Sequence, residues 1–157
     1  MIIVSDTSPL RYLAVIGLTE LLHSLYGTIH TPPEVIQECC ADRAPAALKQ
    51  WMSPPPDWLV VMGHTGWYHP SLLQIDPGEA AAIRLARDAG AALLLMDDRQ
   101  GRQAARALGF EVTGTLGIIS AGAAKGLIDF NEVVGLLGRQ TNFRITKQLV
   151  EAARPQP

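Results

Sequence analysis

Apolar residues along the chain fall into short continuous runs that alternate with stretches of helical spacing. Ile2, Ile3 and Val4 form a β-branched run of the kind covered on both faces in a buried strand, and it stops at Ser5 and Asp6. Ser8 followed by Pro9 predicts a helix start, the hydroxyl capping free N–H groups and the proline occupying the first turn, where it forfeits no bond. Gly17 and Thr19 interrupt that helix and begin another, in which Leu18, Leu21, Leu22 and Leu25 share one face. Residues 28–30 are expected as a short second strand. Pro32 and Pro33 then open a helix that sets Val35, Ile36 and Cys39 on one side against Glu34, Gln37 and Glu38 on the other. A helix over 46–52 follows, and a strand over 58–61 lies between loops at 53–56 and 63–70 that are rich in proline, glycine and aromatic residues.

The second half is more sharply punctuated. Asp76 is placed to cap and Pro77 to start a helix of small residues that runs from Glu79 to about Asp88 and ends at Gly90. Residues 92–96 read as a buried strand, 99–108 as an amphipathic helix stopped by Gly109, 111–113 as a strand, and 116–125 and 131–138 as helices. Strands alternating with helices predict an α/β fold with a parallel sheet, expected as a single domain over 1–157 with a frayed tail at 154–157.

Composition narrows the class. With 157 residues, 48% hydrophobic and 18% charged, the chain suits a well-packed globule and not a disordered or nucleic-acid-coating one. A net charge of -2 means that any nucleic acid must be held by a local basic patch or by metal ions. Cys39 and Cys40 are neighbours, which points to reduced thiols, and no leader-like or bilayer-length apolar run is seen, so a cytoplasmic protein without a membrane segment is expected.

The candidate chemistry lies in acids that follow apolar strands. In an open α/β sheet, ligands gather beyond the carboxyl ends of the strands, where Asp6 and the doublet Asp97-Asp98 stand. Like charges ~4 Å apart repel by about 1 kcal/mol in water and about 4 kcal/mol at an effective dielectric near 20, and a divalent cation removes that penalty. Magnesium, a hard ion held by a few carboxylates, then polarises a phosphate and ionises a water. Plainer roles exist: Asp98 as a cap for the helix at 99, Glu79 as the partner of Asp76 in a capping box, and Glu38 as a solvated glutamate. On the helical wheel, however, Glu79 falls with Ile83 and Ala86 toward the packed side. His23, His30, His64 and His69 show no metal-ligand spacing, and no phosphate-binding glycine loop follows a strand. An aspartyl-phosphate phosphatase is disfavoured because Ser8, not a second acid, lies two residues beyond Asp6.

Taken in order, Ile3-Val4-Ser5-Asp6-Thr7-Ser8-Pro9-Leu10, Pro33-Glu34-Val35-Ile36-Gln37-Glu38, Gly78-Glu79-Ala80-Ala81-Ala82-Ile83, Leu93-Leu94-Leu95-Met96-Asp97-Asp98-Arg99 and Thr113-Gly114-Thr115-Leu116-Gly117 resemble successive motifs of PIN domains. The resemblance spans about residues 1–128 and is to compact prokaryotic members related to VapC-type toxins. It implies a three-layer α/β/α fold and a magnesium- or manganese-dependent endoribonuclease. It further implies Asp6 and Asp98 as metal ligands, Glu79 as a holder or bridge of metal, Glu38 as completing the acidic ring, and Ser8 as orienting Asp6. Asp97 competes with Asp98 for the ligand role, and Glu79 stands where the family commonly has aspartate. The Thr115 hydroxyl is expected beside the site. Arg99, Arg102 and Arg106 form a stripe on the helix after Asp98, fit for RNA or simply a solvated face. The resemblance also implies an antitoxin partner that covers the acidic groove. The apolar helices at 10–25 suit either a homodimer contact or the core. The competing reading is a PIN-like binding or regulatory module that no longer cuts.

Overall fold

The computed structural model describes residues 1–156. The chain runs β1 (Ile3–Ser5), α1 (Thr7–Val15), α2 (Glu20–Tyr26), β2 (Ile29–Thr31), α3 (Pro33–Cys39), α4 (Ala46–Trp51) and β3 (Leu59–Val61). After a 3-10 segment at Pro70–Gln74 come α5 (Pro77–Ala89), β4 (Leu93–Leu95), α6 (Arg99–Ala107), β5 (Val112–Thr113), α7 (Thr115–Ala124), α8 (Phe130–Gln140) and α9 (Lys147–Ala153). All strand pairs are parallel and the sheet order is β3-β2-β1-β4-β5. The chain therefore winds outward from β1 through β2 to β3, then crosses back to lay β4 on the other side of β1. That reversal opens a crevice at the carboxyl ends of β1 and β4, the place where ligands bind in such sheets.

Side chains alternate across the central strands and split the core into two layers. Ile3 and Leu95 point to one face, packed with Leu10, Leu13, Leu22, Leu48, Ile118 and Leu137 from α1, α2, α4, α7 and α8. Val4, Leu94 and Met96 point to the other, against Ala80, Ala82, Ile83, Leu85 and Ala86 of α5 and Ala105 of α6. Their register, with Ile3 opposite Leu93 and Ser5 opposite Leu95, brings the two strand ends level. The result is the expected three-layer α/β/α arrangement. The alanines of α5 explain how closely that helix sits on the sheet: small side chains let its backbone approach the strands.

Several expectations need correction. The first helix starts at Thr7 with Asp6 in the N-cap position, so Ser8 does not cap it. The segment over 63–69 is a loop as expected, held to the body of the domain where Thr65 bonds Asp88, the Trp67 carbonyl accepts from Arg84 Nε at 2.8 Å, and His64 pairs with Glu34. Helix α9, capped by Thr146, was not foreseen. The expected fraying at the end meets a tethered Arg154, which bonds Asn131 and Glu151, while Pro157 lies outside the described residues. Leu10, Leu13, Leu21 and Leu22 are buried within this chain and belong to the core, one of the two roles expected for these helices.

Candidate active site

Asp6 leaves β1 at the crevice with its backbone N–H bonded to the Leu95 carbonyl at 2.9 Å, which ties the end of β1 to β4. The residue is only 2% exposed, and among the described residues its Oδ1 has no hydrogen-bond partner. Burial pushes its carboxyl up to about 7, the Thr7 backbone N–H pulls it down, and Glu38, Asp76 and Asp97 push it up further.

Glu79 enters from the first turn of α5. Asp76 caps that helix, accepting from the Gly78 N–H at 2.9 Å, but the reciprocal bond of a capping box is missing and Glu79 Oε2 is buried without a partner. Its carboxyl rests instead on α6, where a Cβ added to Gly101 would stand 2.8 Å from Oε2 and 2.7 Å from Met96 Sδ. Glycine at 101 thus makes the space that lets Glu79 sit there. Burial raises the Glu79 carboxyl to about 8, followed by repulsion from Asp6, Asp98, Asp76 and Glu38.

The acidic doublet divides its work. Asp97 receives the Thr115 backbone N–H on Oδ1 and the Thr115 hydroxyl on Oδ2, both at 2.7 Å. Both oxygens are committed to the start of α7, a poor arrangement for the metal ligand that the resemblance allowed. Burial raises its carboxyl, while the Thr115 bonds and Arg102 oppose the rise. Asp98 is exposed, caps α6 through Oδ2 at 2.9 Å from the Gly101 N–H, and has no hydrogen bond to Oδ1. Capping and ligation are therefore compatible in Asp98.

Glu38 is half-buried between α1 and α5, accepting from the Thr7 hydroxyl and lying where a Cβ on Gly78 would be. It is not the solvated glutamate of the plainer reading. Ser8 borders the cleft, yet no hydrogen bond joins its hydroxyl to Asp6, so the expected orienting contact is not seen and Thr7 is the hydroxyl engaged with an acid. A cleft of about 510 Å³ collects Asp6, Ser8, Arg11, Glu38, Arg43, Asp76 and Glu79. Asp76, Arg11 and Arg43 were missed as site residues. Arg11 lies four positions after Thr7 and so on the same helix face, a signal that was available; Arg43, in the α3–α4 connection, carries none.

The donor set fits a hard divalent cation: among the described residues two buried carboxylate oxygens lack partners, and burial first, then neighbouring acids, raise both groups toward neutrality. Among the described residues no three acid, histidine or cysteine side chains already converge at ligand distances.

A family model described as DUF3368, PIN domain, matches residues 2–156. The chain belongs to the PIN-domain family. No curated protein matches it. A PIN domain is a nuclease-type fold, its substrate class is nucleic acid, and PIN nucleases generally use divalent metal ions. Asp6 and Glu79 line the cleft of this PIN domain, whereas Asp97 and Asp98 follow the neighbouring strand β4 outside its lining, with Asp98 close enough to act on the charge of Glu79. The predicted arginine stripe is broken up in this PIN domain: Arg99 and Arg106 are exposed, but Arg102 turns inward, its Nη1 occupying the space that a Cβ on Gly114 would need. Among the described residues no helix is long and apolar enough to cross a membrane.

Proposed function

We propose that this PIN domain is a magnesium- or manganese-dependent endoribonuclease in which Asp6, Glu79 and Asp98 hold the ion. The observation that carries the reading is the pair of buried, unpartnered oxygens, Asp6 Oδ1 and Glu79 Oε2, with Asp6 the strongest charge acting on Glu79. A buried carboxylate oxygen without a donor is destabilising, and a cation is the partner that relieves two at once. When bound, the ion supplies polarisation of an RNA phosphate and an ionised water for in-line attack.

The chain's own residues set the geometry. Asp6 is fixed by the β1–β4 bond, Glu79 by the wall of Met96 and Gly101, and Asp98 by its cap on α6. Glu38, anchored by Thr7, completes the acidic ring beside Asp76. Asp97 is a positioning residue that locks Thr115 and the start of α7 behind Asp98. The finer form of the reading, a cytoplasmic toxin whose antitoxin covers the cleft, draws support from the order of the VapC-like motifs over 1–128.

The test is cleavage of single-stranded RNA by purified protein with manganese, magnesium or chelator. Metal-dependent cutting that is lost in Asp6→Asn supports the nuclease. Metal binding without cutting on any RNA transfers the fold to the binding-module reading.

A further inference from the structure

Two arginines line the acidic cleft without a carboxylate partner. Arg11 on α1 and Arg43 after α3 border the cavity that holds Asp6, Glu38, Asp76 and Glu79, yet among the described residues neither forms an ion pair. Arg11 is held in place: its guanidinium lies 4.9 Å from the Tyr12 ring centroid and donates to the Tyr12 hydroxyl at 3.2 Å. That hydroxyl donates in turn to Asn142 Oδ1 at 3.2 Å. A guanidinium restrained this way has surrendered part of its rotamer freedom before any ligand arrives, and its remaining donors stay open to the cleft. The α6 stripe supplies less, because Arg102 is turned toward Gly114 and Asp97.

We propose that Arg11 and Arg43 bind backbone phosphates of the RNA next to the one being cut, on the flank of Asp6 away from Asp98. The topology sets the side of Arg43, and Arg11 lines the same cavity with it, a cavity that Asp98 does not line. Arg43 belongs to the connection after β2, Asp98 follows β4, and β2 and β4 lie on opposite sides of β1. Planar, multi-donor guanidinium groups match phosphate oxygens, while the acids between them take the ion. The assignment rests on the nuclease reading of the same cleft.

The test uses a short fluorescent single-stranded RNA, with binding followed by anisotropy over a salt series and cleavage followed in manganese. Arg11→Ala and Arg43→Ala should each reduce the slope of log affinity against log salt by about 0.7, the value for one neutralised single-strand phosphate. Each should raise KM by about tenfold with kcat nearly unchanged, as expected for a lost charge-assisted contact made equally in ground and transition states. Arg43→Lys should restore the slope, and Tyr12→Phe should raise KM through looser placement of Arg11 without altering the slope. Unchanged slope and KM in both alanine variants, with melting temperatures like wild type, would overturn the assignment, as would wild-type protein that does not bind the RNA. Wild-type binding without cleavage would sink the nuclease reading alone, and the salt slopes would still decide the arginines.

Discussion

Asp6→Asn is expected to stabilise the metal-free protein at alkaline pH while removing its response to metal. The side chain keeps its shape and loses its charge. The folded carboxyl is raised from 3.8 to about 7, chiefly by burial, so the folded state holds its proton more tightly than the unfolded chain. A raised folded value contributes stability that is full below the unfolded value and is lost as pH rises through the folded one. With about 1.4 kcal/mol per tenfold in proton affinity, the raised carboxyl costs up to about 4 kcal/mol at about pH 8, where the folded group is ionised, and roughly 2 kcal/mol at about pH 5, where it stays protonated while the unfolded one ionises. The asparagine amide must itself find partners, so a net gain of about 2 kcal/mol at about pH 8 is the working figure. For a domain of this size that raises the melting temperature by about 4–8 °C. The assay is thermal unfolding of wild type and variant in chelator at the two pH values, repeated with excess manganese. Equal or lower melting of the variant at the alkaline pH would refute the argument that Asp6 is an uncompensated buried charge.

Manganese affinity should rise with pH until Asp6 and Glu79, raised to about 7 and about 8, have both ionised. Calorimetry should show about tenfold per pH unit for each carboxyl still protonated, because the ligand form must lose its proton. Gly101→Ala places a Cβ 2.8 Å from Glu79 Oε2 and 2.7 Å from Met96 Sδ, so it should cost about 1–3 kcal/mol in denaturant unfolding and weaken manganese binding together. Thr115→Val removes the hydroxyl bond to Asp97 Oδ2 and should cost about 1.5–3 kcal/mol in the same assay. A Thr115→Ser variant should recover most of that loss.

Where residues act through their immediate neighbours, the sequence was readable. The caps Asp76 and Asp98, the αL glycine at Gly90 and the apolar runs of β1 and β4 are local signals, and they located the two strand ends that carry the acids. Asp6 and Glu79 followed from the strand-end rule and the helical wheel. The cap at the first helix was misplaced because Asp6, Thr7 and Ser8 are all residues that favour the N-cap, and only the tie from Asp6 to Leu95 shows where the strand stops. Contacts between distant segments left no such mark. The division of Asp97 from Asp98 depends on Thr115, the segment before the 3-10 turn is pinned by Arg84 and Asp88, and Arg43 reaches the cleft only through the packing of α3. Helix α9 has no buried residue in its span, so the chain shows no strong apolar stripe there.

Acids from β1, α5 and the β4–α6 turn are proposed to share one cation, and manganese calorimetry addresses that most directly. Wild type and Asp97→Asn should bind the ion, whereas Asp6→Asn and Asp98→Asn should lose most of the binding heat. Undiminished binding by the Asp6→Asn, Asp98→Asn double variant would contradict the shared site.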